Sequence, residues 1–259
     1  MTLELSGKTV LVTRPREQAA ELCSLLEERG AAVLVQPSIA ILPPENRADV
    51  DAALQCVERR DFDWILFSSA NGVRFFLERV DANRRARFFA DAQTSVAAVG
   101  PGTAAALDDF GVAVDLIPAK EFNAEGLVAA LRDAETSLAG KRLLSVRASR
   151  GRDVLSKEAA KLGAVVREVV AYRSVDVETP DAAILDALRS NQIDFGTVAS
   201  SATAKALARL FGDALSQTRW VALSPLTADA LRSVGVEPAA VAEEATLAKL
   251  VEAVVAAAK

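Results

Sequence analysis

Histidine is absent from this chain of 259 residues, and its absence excludes several kinds of active site. Without an imidazole there is no histidine general base, no histidine metal ligand and no Ser-His-Asp triad. The cysteines, Cys23 and Cys56, have a spacing that predicts neither a disulfide nor a zinc site. Any catalysis must therefore depend on tyrosine, lysine, carboxylates, bound water or the placement of the substrate.

Long apolar runs and a basic charge balance are also missing. No apolar stretch approaches the roughly 20 residues that span a bilayer, and residues 1–8 lack the charged and apolar pattern expected of a signal peptide. We therefore expect a cytoplasmic protein with no membrane partner. The formal net charge of −5 argues against nucleic-acid binding. No acidic cluster has metal-ligand spacing, so no metal is expected either.

Arginine dominates the basic residues, with 22 of the 30 lysines and arginines. Its planar, two-pronged guanidinium binds carboxylates in a geometry that lysine cannot match. A codon bias in an alanine- and arginine-rich proteome explains the excess equally well.

What the chain does contain is an internal repeat. The register between the first pair of segments holds without a gap as far as Gly30 and Gly163. The repeated pairs are 8–14 with 141–147, 63–71 with 194–203, and 98–104 with 222–228. If P and Q denote the two halves of the repeated unit, the chain order is P1-Q1-P2-Q2. Two similar domains that face one another make a cleft, and each supplies the same kind of loop to it.

Apolar strands alternate with amphipathic helices in both copies, which is typical of parallel sheets covered by helices on both faces. The predicted strands are 10–12, 32–35, 64–67, 96–99, 114–117, 143–146, 165–170, 197–199 and 220–223. Helical spacing of apolar residues predicts a helix over 17–29, which ends before Gly30, and a last helix over 246–259. The fold class is therefore α/β.

The two P-to-Q junctions have a different character. Residues 37–44 and 171–177 are extended in pattern and are bounded by prolines. Because they occupy equivalent places in the repeat, they could pair as a narrow ribbon that acts as a hinge. Two ordinary surface linkers would give the same pattern.

Six loops follow predicted strands, at the sheet edge where ligands bind in parallel α/β folds. They are 13–16, 68–71, 100–103, 147–150, 200–203 and 224–227. Their Ser, Thr, Asn and Arg residues predict helix caps, and the free N–H groups there attract anions. Each loop alone is an ordinary cap, whereas six together indicate a ligand with several carboxylates or phosphates. Nucleotide binding is not indicated, because Ala105 stands where a dinucleotide loop requires its third glycine.

Tyr172 is the single tyrosine, and it lies in the second junction. A phenol in a cleft can donate a proton or a hydrogen bond to a leaving hydroxyl. The plain alternative is an aromatic side chain packed at a domain seam.

Several of these segments together resemble the uroporphyrinogen-III synthase family over almost the whole chain. The matching segments are 12–15, 67–73, 98–104, 170–173 and 224–228. No single segment is specific, whereas their order and spacing together are fairly specific.

The resemblance implies two flavodoxin-like domains, each a parallel sheet flanked by helices, joined by a two-stranded hinge ribbon. It also implies that P1 pairs with Q2 and Q1 with P2. The first domain would then comprise 1–37 plus 175–259, and the second 38–174 with the two linker strands.

The implied reaction is the cyclisation of hydroxymethylbilane, a linear tetrapyrrole with acetate and propionate arms, to uroporphyrinogen III. Water is lost and ring D is inverted, and neither a metal nor an organic cofactor takes part. Tyr172 would assist departure of the hydroxyl, and a monomer is expected. The expected substrate contacts are Arg14, Ser68, Ser69, Asn71, Thr103, Arg147, Ser200, Ser201, Ser224 and Thr227.

The sequence leaves open whether Arg14 and Arg147 reach the ligand or brace their own loops. It also leaves two other functions open. A non-catalytic, two-domain cytoplasmic binder of a polycarboxylate ligand explains the cleft and hinge equally well. A two-domain glycosyltransferase would need a nucleotide-sugar pocket, of which the sequence gives no sign.

Overall fold

A computed structural model describes residues 3–89 and 93–259, and the chain divides into two compact units. Unit 1 consists of Met1–Ile41 and Val175–Lys259, and unit 2 of Leu42–Ser174. Within the described ranges, no helix combines the length and the apolar character needed to cross a membrane.

Most strands along the chain are followed by a helix. The strands are β1 Thr9–Val12, β2 Ala32–Val35, β3 Ile39–Leu42, β4 Trp64–Phe67, β5 Ser95–Ala98, β6 Arg142–Ala148, β7 Val165–Asp176, β8 Phe195–Val198, β9 Arg219–Ala222 and β10 Ala240–Val241. The helices are α1 Ala20–Glu28, α2 Arg47–Glu58, α3 Ala70–Leu77, α4 Ala82–Phe88, α5 Pro101–Asp109, α6 Ala124–Ala134, α7 Val154–Lys161, α8 Ala182–Arg189, α9 Ser201–Phe211, α10 Pro225–Arg232 and α11 Leu247–Ala258. Short 3-10 helices cover Arg16–Gln18 and Gly212–Gln217.

The sheet of unit 1 has the order β10-β9-β8-β1-β2, and its neighbouring strands all run parallel. Leu11 and Trp220 pack on one face with apolar residues of α8, α9 and α10. Val10 and Phe195 pack on the other face with α1 and α11. Burial on both faces explains why the strands are continuous apolar runs instead of alternating ones.

The sheet of unit 2 has the order β3-β7-β6-β4-β5, and the pairs β7–β6, β6–β4 and β4–β5 are parallel. Leu66 packs on one face with residues of α6 and α7. Phe67, the next residue, contacts Phe76 of α3 edge-on, with ring centroids 5.9 Å apart. Both predicted junctions are extended, since β3 occupies one and β7 continues through the other to Asp176.

Two equivalent aspartates join the strands that the repeat relates. In unit 1 the Asp194 carboxylate accepts the Thr9 N–H at 2.9 Å, and in unit 2 the Asp63 carboxylate accepts the Arg142 N–H at 2.7 Å. Thr9 begins β1 beside β8, and Arg142 begins β6 beside β4. Strands of P1 therefore pair with those of Q2, and strands of P2 with those of Q1.

The electrostatic setting of Asp194 combines opposed effects. Burial favours its neutral acid, but the Thr9 N–H and the Lys8 ammonium, 3.0 Å away, outweigh that effect. Together they hold the pKa of Asp194 below its usual value.

The predicted strand over residues 114–117 is wrong. The structure has a single parallel bridge there, between Ala97 and Leu116. The reason is local, because the Asp115 carboxylate accepts the Val96 N–H at 2.7 Å. A side chain thus occupies the donor that a longer strand ladder would use.

Candidate functional site

In unit 2, three of the predicted loops lie side by side. They follow β6, β4 and β5, which are neighbours in the parallel sheet, so their carboxyl ends share one edge. A cavity of about 310 Å³ opens at this edge. Its lining includes Ser68, Ser69, Phe122, Asn123, Arg147, Arg150, Arg152 and Tyr172. This is the position at which parallel α/β sheets bind ligands.

Tyr172 reaches the cavity because of an irregularity in β7. Val170 pairs with Arg147 of β6, but Ala148 pairs with Tyr172, so Ala171 is an extra residue in the ladder. The consecutive Ala171 and Tyr172 are both buried. Such an insertion re-aims a side chain, and here it directs the phenol toward the loop after β4.

The Tyr172 side chain has two defined partners, one from the N-cap of α3 and one from its second turn. Its hydroxyl lies 3.1 Å from the Ser69 Oγ. Its ring stacks on Phe75, with centroids 5.9 Å apart and planes 17° from parallel. Only 7% of Tyr172 is exposed, so its position is closely defined.

The two serines after β4 have different local roles. Ser69 is the N-cap of α3, and its Oγ accepts the Gly72 N–H at 3.0 Å. The Ser68 hydroxyl donates to the Val146 carbonyl at 3.1 Å, which ties the loop to β6. Asn71 lies in the first turn of α3. The sequence predicted this cap correctly, because a serine before a helix satisfies an otherwise unpaired N–H.

Arg147 braces its own loop. Its guanidinium pairs with both oxygens of Glu168 at 3.0 Å, and it also donates to the carbonyls of Ala148 and Gly151. The Arg147 guanidinium thus has partners within the protein, and its contact with a ligand stays a prediction.

Arg152 is held more loosely at the same cavity. It pairs with Glu125 at 2.6 and 3.2 Å, and 67% of its side chain is exposed. The hydrogen bond from Arg152 lowers the pKa of Glu125. Ion pairs this exposed contribute about 0–1 kcal/mol, so a competing carboxylate can replace Glu125 at little cost.

In unit 1, the loops after β8 and β9 are built alike. Ser200 and Ser224 cap α9 and α10 by accepting the N–H of Thr203 and Thr227, at 3.1 and 3.3 Å. Each cap serine also shares a hydrogen bond with the hydroxyl of that threonine. Ser201 donates to the Leu226 carbonyl at 3.3 Å.

The loop after β1 adjoins those two, since β1, β8 and β9 are neighbours in the sheet. Thr13 donates to the Thr197 carbonyl at 2.7 Å. Arg14 contacts the Gln18 side chain at 3.5 Å, and burial lowers the pKa of its guanidinium, against the opposing effect of Glu21.

The prediction that all six loops cap helices holds for Ser69, Ser200 and Ser224 and is wrong for the other three. After β1 a 3-10 turn intervenes, and α1 begins only at Ala20. After β6 the helix begins at Val154, and after β5 the N-cap is Gly100, which has no side chain to accept. Thr103 lies inside α5 and is 5% exposed.

Residues of the cavity that the sequence reasoning did not select as contacts include Phe122, Asn123, Arg152 and Arg150, the last of which lies in the predicted loop 147–150. The arginine spacing in 147–152 is a signal that could have identified two of them. Phe122 stands out only in the structure, where 54% of this large apolar side chain is exposed. Its loop folds close over α6, since a Cβ on Gly126 would lie 2.0 Å from the Glu121 carbonyl oxygen. Among residues 3–89 and 93–259, no group of three or more acidic or cysteine side chains could hold a metal.

Comparison with known proteins assigns the family. The family model described as uroporphyrinogen-III synthase HemD matches residues 20–252. The uroporphyrinogen-III synthase of Synechococcus elongatus is 34% identical over 213 residues, which cover 82% of this chain and 77% of that protein. The corresponding protein of Chlorobaculum parvum is 30% identical over 233 residues, covering 89% and 91%.

Solved structures agree at the level of the fold. A mutant uroporphyrinogen III synthase from Thermus thermophilus matches with a TM-score of 0.63 and 22% identity, covering 96% of this chain and 98% of that one. The Helicobacter pylori uroporphyrinogen-III synthetase matches with a TM-score of 0.64 and 15% identity, covering 96% and 99%. The non-catalytic binder considered from the sequence is not favoured by these findings. The chain belongs to the uroporphyrinogen-III synthase family, whose members are cyclising lyases of tetrapyrrole biosynthesis.

Proposed function

We propose that this protein cyclises hydroxymethylbilane to uroporphyrinogen III, with loss of water and inversion of ring D. One observation carries the proposal beyond family membership. The single tyrosine of a histidine-free chain lines the same cavity as Arg147, Arg150 and Arg152. A proton donor beside arginines suits a substrate that loses a hydroxyl and carries acetate and propionate arms.

In the proposed first step, Tyr172 donates its proton or a hydrogen bond to the terminal hydroxyl of the substrate. The carbon–oxygen bond breaks, water leaves, and the electron pair of a pyrrole nitrogen forms an azafulvene cation. A pyrrole carbon then attacks this cation and closes the ring, and the proton released as the attacked pyrrole regains its aromaticity balances the one that left with the water. The substrate also closes unaided to the type I isomer, so the main task of the protein is to fix the geometry that gives type III. Orientation of this kind accounts for a large share of many enzymatic rate enhancements.

We propose that the strand-end loops hold the carboxylates of the substrate. Serine hydroxyls that accept a helix N–H still have a proton to donate, and the helix N-termini add further N–H donors. Arg152 can exchange Glu125 for a substrate carboxylate, because the existing pair is exposed. Arg147 keeps its loop in place and also lines the cavity, so it stays among the proposed contacts. The proposed contacts remain Arg14, Ser68, Ser69, Asn71, Thr103, Arg147, Ser200, Ser201, Ser224 and Thr227.

The finer domain picture is also a proposal. It has two flavodoxin-like domains, residues 1–37 plus 175–259 and residues 38–174, joined by a two-stranded ribbon that acts as a hinge. Two features support it. The strand order places β3 beside β7, and the chain passes between the compact units within those strands.

Product analysis tests the function directly. Purified protein is incubated with freshly prepared hydroxymethylbilane, and the type I and type III isomers are separated after oxidation. We expect type III in excess, with type I as the only product in a mixture without protein. Formation of type I alone in the presence of folded protein would reject the proposed activity.

A further inference from the structure

We propose that Ser69 is a positioning residue for Tyr172, which holds the phenol hydroxyl in the orientation that the proposed reaction needs. This inference rests on the proposed function, and it changes the main role of Ser69 from substrate contact to support of the proton donor. The inference concerns a polar contact between two side chains of the protein, so it can be tested without knowing the orientation of the bound substrate.

The geometry forms a directed series of hydrogen bonds. The Gly72 N–H can only donate, so the Ser69 Oγ accepts there, at 3.0 Å. The Ser69 Oγ then lies 3.1 Å from the Tyr172 hydroxyl. If Ser69 donates to the phenol oxygen, the proton of Tyr172 is left for the substrate. The opposite arrangement would direct that proton to Ser69 and away from the leaving hydroxyl.

The same series has an electrostatic consequence. Gly72 lies in the first turn of α3, where the unpaired N–H groups form the positive end of the helix. When Tyr172 gives up its proton, negative charge develops on the phenol oxygen. A hydroxyl polarised by the helix N–H stabilises that charge better than an isolated hydroxyl does, because linked hydrogen bonds strengthen one another.

The fold restricts the alternatives open to the phenol. Phe75, from the second turn of α3, stacks on the ring with planes 17° apart, while Ser69 precedes the first turn. One helix therefore sets both the plane of the ring and the direction of the hydroxyl. The extra residue Ala171 in β7 brings Tyr172 to this helix from across β6. The contact thus depends on three separate features, namely the start of α3, the stacking of Phe75 and the extra residue in β7.

A kinetic cycle tests the role with Ser69→Ala, Ser69→Thr, Tyr172→Phe and the double variant. We expect Ser69→Ala to lower kcat for type III formation about tenfold, the usual worth of one lost hydrogen bond, with KM within about twofold. Ser69→Thr keeps the hydroxyl and should restore most of the rate. The double variant should be no slower than Tyr172→Phe alone, since Ser69 acts through the phenol.

Nuclear magnetic resonance supplies a readout that does not depend on activity. With one tyrosine in the chain, labelling tyrosine at the ring carbon bonded to oxygen gives one signal, that of Tyr172. Ser69→Ala should shift this signal, and Ser69→Thr should return it toward the wild-type position. Asn46→Ala is the matched control, because Asn46 caps α2 of the same unit by accepting the Ala48 N–H at 3.0 Å. It loses a cap and should leave the signal and the rate unchanged.

The outcomes separate the two proposals. A raised KM with unchanged kcat, or additive losses in the double variant, would show that Ser69 contacts the substrate and would overturn the positioning role. An unmoved tyrosine signal in Ser69→Ala would overturn it as well. If wild-type protein forms no type III product, the proposed function fails, and the signal alone then decides whether Ser69 orients Tyr172.

Discussion

Replacement of Tyr172 by phenylalanine removes a single oxygen atom from the candidate site. The ring keeps its place, because it is 7% exposed and stacks on Phe75. Ser69 keeps its bond from the Gly72 N–H, so no polar group is left wholly unsatisfied. The variant should therefore fold like the parent chain, and any loss of activity can be assigned to the hydroxyl.

The magnitudes expected for stability and for rate differ widely. Loss of the contact with Ser69 costs about 1 kcal/mol of unfolding free energy, which for a chain of this size lowers Tm by about 2–4 °C. Loss of a proton donor lowers turnover by roughly ten- to a thousand-fold, or about 1.4–4 kcal/mol in activation free energy. The rate effect should exceed the stability effect at a temperature at which both proteins are folded.

The assay measures the initial rate of type III formation, with type I as an internal record of unaided closure. Because the substrate closes without the protein, the variant should shift the product ratio toward type I. Ser190→Ala is the control, since it removes a surface hydroxyl that donates to the Asp186 carbonyl at 2.6 Å, and it should leave the rate unchanged. Full type III activity in folded Tyr172→Phe would refute the role given to the phenol.

Further predictions concern the fold that carries the site. The pKa of Asp194 is lower in the folded protein than in the unfolded chain. Its contribution to the free energy of unfolding is therefore present above about pH 4 and is lost as pH falls through the lowered pKa. Asp194→Ala should thus lower the free energy of unfolding, measured in urea, by about 1–2 kcal/mol at neutral pH and leave it unchanged in strong acid. A difference between variant and parent that stays the same at both pH values would contradict this expectation. Gly126→Ala must displace the Glu121 carbonyl, so we expect a raised KM for the substrate and a loss of about 1–3 kcal/mol in unfolding free energy. An unchanged KM together with an unchanged unfolding free energy would contradict the close approach of Gly126 to Glu121. Residues 38–174, expressed alone, should fold and give a dispersed amide NMR spectrum, whereas residues 1–37 alone should not. If the fragment 38–174 is unfolded, the proposed division of the chain into two domains is contradicted.

Much of the fold could be predicted because its signals are local. Strands 32–35 and 64–67 were predicted with the bounds that the structure has, since buried parallel strands are short apolar runs flanked by turns. The caps at Ser69, Ser200 and Ser224 depend on a serine and an N–H three residues later, which the sequence shows directly. The strand over 114–117 failed because a side chain competes with the backbone for one donor, which hydrophobic pattern does not register.

The sequence alone established the repeat, the α/β class, the family resemblance and the presence of a lone tyrosine in a chain without histidine. All four can be read from the order and types of the residues, without knowing which distant residues come into contact. Tertiary structure decided which groups meet at the site. Ser69 and Tyr172 are 103 positions apart, and their contact requires a helix start, the order of three strands and one extra residue in β7. It also decided that Arg147 braces its loop while Arg152 stays exposed, because only packing shows which carboxylate each guanidinium can reach.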